Sequence, residues 1–329
     1  MSGADASVKV LPVPTPFAVG RVNCYLIEDD PLTLVDAGPN SGTSLTVLEA
    51  ALAEHGRRIE DLERIVLTHQ HIDHIGLAQI LAERSGAEVC ALDVLAPWLA
   101  RYGAAMEADD EFAEALMLRN GIPKDIVIAL RAVTAQFRAW GSKVTVTTPL
   151  HDGGTLPFAG RTWHVHHRPG HSPSDTVFHD QATGDLLGGD HLIKHISSNP
   201  LISRPLDLDA PADATRRPRA LITYLASMRA TREMDLRTVL AGHGEPVEDH
   251  RALIDERLAG HERRVTKIAG IVAGEPKSAF EIAQHMWGNV AVTQAFLTLS
   301  EVLGHVDLLL ERGAVTEVED GGVVRFAAA

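Results

Sequence analysis

The chain has 329 residues, of which 45% are hydrophobic and 22% are charged, as expected for a globular protein with a buried core. Its formal net charge of −14, without any long lysine or arginine run, disfavours nucleic acid and anionic membranes as partners. The first ten residues lack the basic and apolar segments of an export signal, and no run of about 18 apolar residues follows. We therefore expect a cytoplasmic protein.

The first part of the chain predicts alternating strands and helices. Apolar runs on either side of Asp29-Asp30-Pro31 predict a hairpin over residues 22–35, which Asp36-Ala37-Gly38 ends. Hydrophobic spacing then predicts a helix over residues 45–56, a strand over 65–67, a helix over 77–84 and a strand over 89–92. This alternation is typical of an α/β fold.

The middle of the chain predicts a helical insert followed by short strands. Between Asp93 and Gly141 the residues are rich in Ala, Leu and Glu at helical spacing, so we predict an inserted helical pair over about residues 93–141. The strands predicted after it cover residues 144–148, 163–165, 176–178, 186–187 and 238–240. Most of them end in a loop that carries Gly, His or Asp, and loops above a rigid sheet commonly carry catalytic groups.

The C-terminal part predicts a separate unit. From about Glu248 the spacing is helical again, and two short apolar runs around Asp320-Gly321-Gly322 predict a terminal hairpin. Three helices and a hairpin suggest a winged-helix-like unit. We therefore divide the chain into a catalytic domain, residues 1–250, and a winged-helix-like C-terminal domain, residues 251–329.

A dense group of candidate metal ligands follows the strand predicted at residues 65–67. His69, His71, Asp73 and His74 place three imidazoles and a carboxylate within six residues. Neutral imidazole nitrogens and carboxylate oxygens are the ligands that hold zinc and similar divalent ions. Because neighbouring residues of a loop can diverge, this loop is predicted to serve two metal ions.

Further ligands are expected from distant loops. His171 lies in Pro-Gly-His-Ser, Asp190 follows Leu-Leu-Gly-Gly, and His243 lies in Gly-His-Gly, each after a predicted strand. Each signal is weak alone, but together with the first motif they predict one site. The two cysteines, Cys24 and Cys90, lack the spacing of a metal-binding pair, so ligation falls to histidine and aspartate.

These loops, together with the N-C-Y-L-I and L-V-D-A-G runs near the N-terminus, resemble the metallo-β-lactamase superfamily over roughly residues 8–92 and 143–250. The resemblance implies an αββα sandwich. It also implies two metal ions, the first on His69, His71 and His171 and the second on Asp73, His74 and His243. Asp190 would bridge the two ions. Asp36 matches a position that orients a metal ligand, although a turn or helix-cap aspartate explains it equally well.

The implied site indicates hydrolysis by activated water. Two ions about 3.5–4 Å apart lower the pKa of a shared water until it forms hydroxide near neutral pH. We expect this metal-bridging hydroxide to be the nucleophile, with Asp73 and Asp190 as the catalytic residues beside it. We expect zinc, with iron and manganese as alternatives. True β-lactamases of the superfamily generally lack an aspartate at the bridging position, so Asp190 argues against hydrolysis of antibiotics.

Several substrates fit this pattern. Our leading hypothesis is a small ester, thioester or lactone, because apolar residues of the insert such as Tyr102 and Phe112 predict an apolar pocket. The alternatives are a ribonuclease or phosphodiesterase of the same superfamily, and a diiron redox enzyme on the same ligands. Residues 261–329 contain six lysines and arginines against nine acidic residues, which disfavours nucleic acid. We expect no membrane partner. Homodimerisation through the C-terminal domain, residues 251–329 and called the tail below, is a further hypothesis.

Overall fold

The computed structural model describes residues 7–210 and 213–329. In these residues the first sheet has the order β1-β2-β3-β4-β5-β6. Its strands are β1 (Val8–Val13), β2 (Val22–Ile27), β3 (Thr33–Val35), β4 (Arg64–Val66), β5 (Glu88–Leu92) and β6 (Thr148–Leu150). The pairs β1–β2 and β2–β3 are antiparallel, whereas β3 to β6 pair in parallel.

Helices connect the parallel strands, as parallel pairing requires. They are α1 (Gly42–Glu54), α2 (Ile72–Ile75), α3 (Ala78–Ser85), α4 (Ala96–Ala100), α5 (Tyr102–Arg119) and α6 (Lys124–Phe137). The last three form the insert between β5 and β6, so the predicted helical pair is present and is preceded by the short helix α4. The insert packs against α2, because a Cβ atom on Gly141 would lie only 2.8 Å from Ile72 Cγ2.

The second sheet has the order β11-β10-β9-β8-β7 within the described residues. Its strands are β7 (Thr155–Pro157), β8 (Thr162–His167), β9 (Thr176–Asp180), β10 (Asp185–Gly189) and β11 (Thr238–Ala241). Strands β7 to β10 pair antiparallel, and helix α7 (Ala220–Arg232) connects β10 to its parallel neighbour β11.

The two sheets and their helices form four layers, αββα. Tyr25 and Val66 of the first sheet belong to the same buried cluster as Trp163 and Phe178 of the second sheet. A second cluster joins α1 and α3 to the other face of the first sheet, and a third joins α7 to the other face of the second sheet. The predicted α/β sandwich is therefore present.

The C-terminal segment forms helices and a small sheet. Its elements are α8 (His250–Val272), β12 (Lys277–Ser278), α9 (Ala279–Trp287), α10 (Val290–Thr293), α11 (Ala295–Glu311), β13 (Val315–Asp320) and β14 (Val323–Ala328). Helix α11 packs closely on α7, where a Cβ atom on Gly304 would lie 2.8 Å from Leu221 Cβ. The tail also meets the insert, since the Phe280 amide donates to the Asn120 carbonyl (3.2 Å).

The predicted strand over residues 144–148 is wrong in its position, because β6 begins only at Thr148. The Thr147 hydroxyl accepts a hydrogen bond from the Val89 amide (2.8 Å), so a side chain replaces the regular ladder here. Strands β1 and β7 were not predicted. Among residues 7–210 and 213–329, no helix combines the length and apolar character needed to cross a membrane.

Candidate metal centre

The loop after β4 carries the first group of candidate ligands. His71 occupies the N-cap position of α2 without a capping side-chain hydrogen bond, and Asp73 and His74 lie within this short helix. The sequence predicted a loop over the whole motif, and this part of the prediction is wrong. A helical turn also directs neighbouring side chains to different sides, so a loop is not needed for Asp73 and His74 to face different ligands.

Three histidines form a first cluster, and they come from two separate parts of the chain. His69 Nε2 lies 3.0 Å from His71 Nδ1, which in turn lies 2.9 Å from His171 Nε2. The Asp190 carboxylate lies within 4.8 Å of the ligand atoms of this cluster. The distant loop of His171 is thus brought to the loop after β4, as the sequence indicated.

Asp73, His74 and His243 form a second cluster beside the first. Asp73 Oδ2 lies 3.3 Å from His243 Nε2, and the ligand atoms of all three residues lie within 4.8 Å of one another. His243 follows β11, at the end of the second sheet, whereas Asp73 and His74 belong to the first sheet's connections. The two sheets therefore each contribute to this cluster.

Asp190 lies between the two clusters. Its Oδ1 atom is 3.5 Å from His74 Nε2, and its Oδ2 atom is 3.6 Å from His171 Nε2 and 3.5 Å from His243 Nε2. One carboxylate thus faces histidines of both clusters. This is the geometry that a bridging ligand requires. The fold provides it because Asp190 directly follows β10, which lies between β9 and β11 in the second sheet.

Hydrogen bonds orient the histidine rings. The Nδ1 atom of His171 donates to the Asn199 carbonyl (3.2 Å), and that of His243 donates to the Arg21 carbonyl (2.8 Å). A ring nitrogen that donates in this way leaves the opposite nitrogen unprotonated and free to bind a metal ion. The tautomer needed for ligation through Nε2 is therefore favoured at both positions.

Asp36 holds a third ring through its carboxylate. His74 Nδ1 donates to Asp36 Oδ2 (2.7 Å), and the Thr68 amide donates to Asp36 Oδ1 (2.9 Å). The backbone of Asp36 has a φ of +59°, a left-handed conformation that costs energy for a non-glycine residue. The contact with His74 favours the ligand-orienting interpretation of Asp36 over a simple turn residue.

Replacing Asp36 by asparagine should weaken binding of the ion at the second cluster by about 10- to 100-fold. Asparagine tolerates the left-handed backbone, but its single carbonyl oxygen cannot replace both carboxylate oxygens. Zinc affinity, measured by competition with a chromophoric chelator, checks this expectation. Unchanged affinity for every bound ion in Asp36→Asn would show that Asp36 does not orient a ligand.

Charges in the site also favour a bound cation. Burial, followed by the neighbouring His171, lowers the pKa of His71 to about 3, so this ring is neutral and able to bind metal. Burial opposes protonation of His243 as well, yet the Asp190 carboxylate raises the pKa of that ring to about 9. The carboxylates therefore attract positive charge into a buried site.

Unsatisfied buried atoms lead to the same conclusion. His74 Nε2, His243 Nε2 and Asp190 Oδ1 are buried and have no hydrogen-bond partner. Buried polar atoms are nearly always paired, and groups left without a partner call for an explanation such as an ion. Nitrogen and oxygen donors of this kind suit zinc, iron or manganese. The residues present thus fit a divalent metal centre.

Supporting residues not identified from the sequence complete the site. Thr68, which precedes His69, donates to Asp36 through both its amide and its hydroxyl. Asn23 and Tyr25 both donate to the Ala241 carbonyl, at 3.0 and 2.7 Å, and so hold the loop of His243. The position of Thr68 directly before the ligand motif is the one sequence feature that could have indicated its role. The other two contacts span more than 200 residues of chain and leave no local signal.

Two clusters of nitrogen and oxygen donors at the ends of two packed sheets define a candidate centre of the metallo-hydrolase class. A family model described as the metallo-beta-lactamase superfamily matches residues 18–243. The chain therefore belongs to the metallo-beta-lactamase superfamily, as its motifs indicated.

Relatives match the chain almost over its full length. A probable metallo-hydrolase of Bacillus subtilis strain 168, YqjP, is 34% identical over 315 residues, which cover 95% of each chain. A metallo-beta-lactamase family protein from Thermus thermophilus has 28% identity and a TM-score of 0.79, covering 98% of this chain and 99% of its own. A beta-lactamase domain protein from Burkholderia ambifaria has 28% identity and a TM-score of 0.81, with 99% and 93% covered. The similarity thus includes the insert and the C-terminal segment.

Proposed function

We propose that this protein is a dinuclear zinc hydrolase that acts on a small ester, thioester or lactone. The observation that carries the proposal is the position of Asp190, whose carboxylate faces His171 of the first cluster and His74 and His243 of the second. A single carboxylate between two sets of ligands sets the spacing of two ions. Two divalent ions held about 3.5–4 Å apart form the active centre of the two-metal hydrolases.

The proposed reaction uses water as the nucleophile. Ions bound here would lower the pKa of a water molecule and polarise the carbonyl group of a substrate. Asp73, a member of the second cluster, could orient that water, accept its proton as the water attacks the substrate carbonyl, and pass the proton to the departing alcohol or thiol. The thiols of Cys24 and Cys90 are unsuited to attack, because burial raises both pKa values, to about 12 for Cys90.

The surroundings of the loop after β4 favour a small acyl substrate. The insert ends on α2, where Gly141 packs on Ile72, and the Ser142 hydroxyl donates to the Gly76 carbonyl (2.8 Å). The rings of Phe17 and Phe137 are 5.5 Å apart and connect the insert to the segment that leads to Arg21. Ile72, Phe17 and Phe137 thus place apolar side chains on the segments that support the ligands. Apolar surroundings with few polar groups suit small organic substrates.

The insert residues first chosen as pocket candidates play a different part. Tyr102 is 8% exposed and donates to the Arg138 carbonyl (2.7 Å), and Phe112 is 5% exposed. Phe112 packs with the C-terminal helices and faces a cavity of about 300 Å³ that is lined by Pro205, Arg216 and Pro218. Both side chains are therefore buried by contacts within the protein and stabilise the insert.

The architecture of the C-terminal segment makes a nuclease the second candidate function. Helices α8, α9 and α11 with a three-stranded sheet are compatible with a winged-helix-like domain, a type of domain that binds nucleic acid in other proteins. The six basic and nine acidic residues of 261–329 oppose contact with phosphates. We therefore propose that the tail packs against the catalytic domain or forms a homodimer. A diiron redox enzyme would use the same ligand types, so the identity of the bound metal distinguishes it from a zinc hydrolase.

Side-by-side hydrolysis assays should show that a thioester or lactone is cleaved far faster than single-stranded RNA or the β-lactam nitrocefin. Because few phosphates would be contacted, activity should change little when the salt concentration rises from about 50 to about 200 mM. Steeply salt-dependent RNA cleavage that exceeds the other rates would support the nuclease instead. Iron at stoichiometric level together with oxygen uptake would support the redox enzyme.

A further inference from the structure

A separate group of potential metal ligands lies in the C-terminal segment. His261 belongs to α8, whereas Glu301 and His305 belong to α11, one helical turn apart. His261 is 2% exposed and His305 is fully buried, and each of the three residues offers a ligand atom within 4.8 Å of the others. This group shares no residue with the candidate metal centre and is not used in the proposed reaction.

The two imidazole rings meet through their nitrogen atoms. His261 Nδ1 lies 3.0 Å from His305 Nε2. In the candidate metal centre the corresponding nitrogen–nitrogen distances are 3.0 Å between His69 and His71 and 2.9 Å between His71 and His171. The pair in the tail therefore has the same spacing as the histidines of the candidate centre.

A backbone contact determines which nitrogen of His305 is available. Its Nδ1 atom donates to the Glu301 carbonyl oxygen (2.6 Å), so the Nε2 atom that faces His261 carries a free lone pair. Metal-binding histidines typically donate their other ring N–H to a carbonyl or carboxylate. His171 and His243 do the same in the candidate centre, through the carbonyl groups of Asn199 and Arg21.

Glu301 adds a carboxylate to the pair. Its carboxylate offers a ligand atom within 4.8 Å of those of the two histidines, and its Oε1 atom lies 2.6 Å from the guanidinium of Arg264. A carboxylate has two oxygen atoms, so one can remain with Arg264 while the other binds an ion.

Without an ion, His261 Nδ1 donates to His305, and the buried Nε2 atom of His261 has no partner among the described residues. Unpaired buried polar atoms are uncommon in native proteins. A water molecule could satisfy this atom either as an acceptor or, with an ion bound at Nδ1, as an N–H donor, so the grouping of the three ligand atoms is what supports an ion.

We propose that His261, Glu301 and His305 form a further metal site, for a divalent transition ion of the zinc class, that links α8 to α11. Two imidazoles and one carboxylate are a poor set for calcium or magnesium, which prefer oxygen ligands. The site lies in the core of the tail, so its role is to connect two helices. The proposal is independent of the substrate and of the ions at the candidate centre.

Zinc content tests this proposal directly. After saturation with zinc and removal of the free ion, the full-length His305→Gln variant should contain one zinc per chain fewer than the wild type. The matched control is His250→Gln, because His250 is also a buried histidine of α8 but its Nε2 atom bonds to the Met234 carbonyl. The control should retain the full zinc content. Equal zinc in His305→Gln and the wild type would overturn the proposal.

A second measurement on the wild type covers the case in which His305→Gln fails to fold. Crystals of the zinc-saturated protein, measured at the zinc absorption edge, should show an anomalous peak between His261 Nδ1 and His305 Nε2. Peaks at the candidate centre alone, with none in the tail, would mean that the histidine pair is an ordinary hydrogen bond in a helical core.

Discussion

Replacing Asp190 by alanine should empty at least one metal position and lower kcat by about 1000-fold or more, equivalent to about 4 kcal/mol of transition-state stabilisation. The two carboxylate oxygens face histidines of both clusters, at 3.5 to 3.6 Å, so their loss affects both sets of ligands. Removing the carboxylate also leaves the surrounding imidazoles without their shared anion. Metal analysis and steady-state kinetics on the same preparation measure both effects.

The control for this variant is a buried aspartate at the far end of β10, the strand that Asp190 follows. Asp185 begins β10 and pairs with Arg237, so Asp185→Asn disturbs the fold without touching the ligands. It should lose stability yet keep its metal content and kcat. If Asp190→Ala retained full metal content and full activity, Asp190 would not be a bridging ligand, and the dinuclear proposal would lose its main support.

Replacing Gly242 by alanine should lower kcat/KM by about 100-fold, although the new side chain is only a methyl group. Its Cβ atom would lie 2.2 Å from Asp190 Oδ1 and 2.9 Å from His74 Cε1, distances that the present positions of both ligands do not allow. At least one of the two must move. A displacement of about 1 Å at reacting groups commonly costs about 100-fold in rate. Kinetics and metal content of the purified variant measure this effect.

Gly270→Ala provides the matched control, because Gly270 lies in α8 and a Cβ atom there would meet nothing within 4 Å. Alanine is favoured over glycine within a helix by up to about 1 kcal/mol, so this variant should be fully active and slightly more stable. Wild-type kinetics in Gly242→Ala would mean that the loop of His243 can shift without affecting Asp190 or His74, which would contradict this prediction.

The sequence was most informative where the relevant residues are close together in the chain. His69, His71, Asp73 and His74 lie within six residues, so their residue types alone indicated the chemistry. The superfamily pattern then directed attention to the distant loops. The metal ions themselves and the assignment of individual ligands to them remain predictions.

Contacts between distant segments could not be predicted in the same way. The role of Asp36 depended on whether its carboxylate reaches His74, which is 38 residues away, and only the fold answers this. His261 and His305 were expected to lie in helices, but periodicity does not state which faces of two helices meet. The Thr147 hydroxyl that replaces part of the ladder beside β5 is a local exception to the strand pattern.

The insert has a further consequence for how this protein can vary. Helix α5 contains 18 residues, about 27 Å in length, and extends from the Tyr102 end, beside Ile72, to the Asn120 end, which contacts the tail. Helix α5 therefore connects the ligand-bearing segment to the C-terminal segment. Because packed interiors transmit strain, we expect a substitution that displaces Phe280 to shift helix α5 and so to alter reactivity without any change among the ligands.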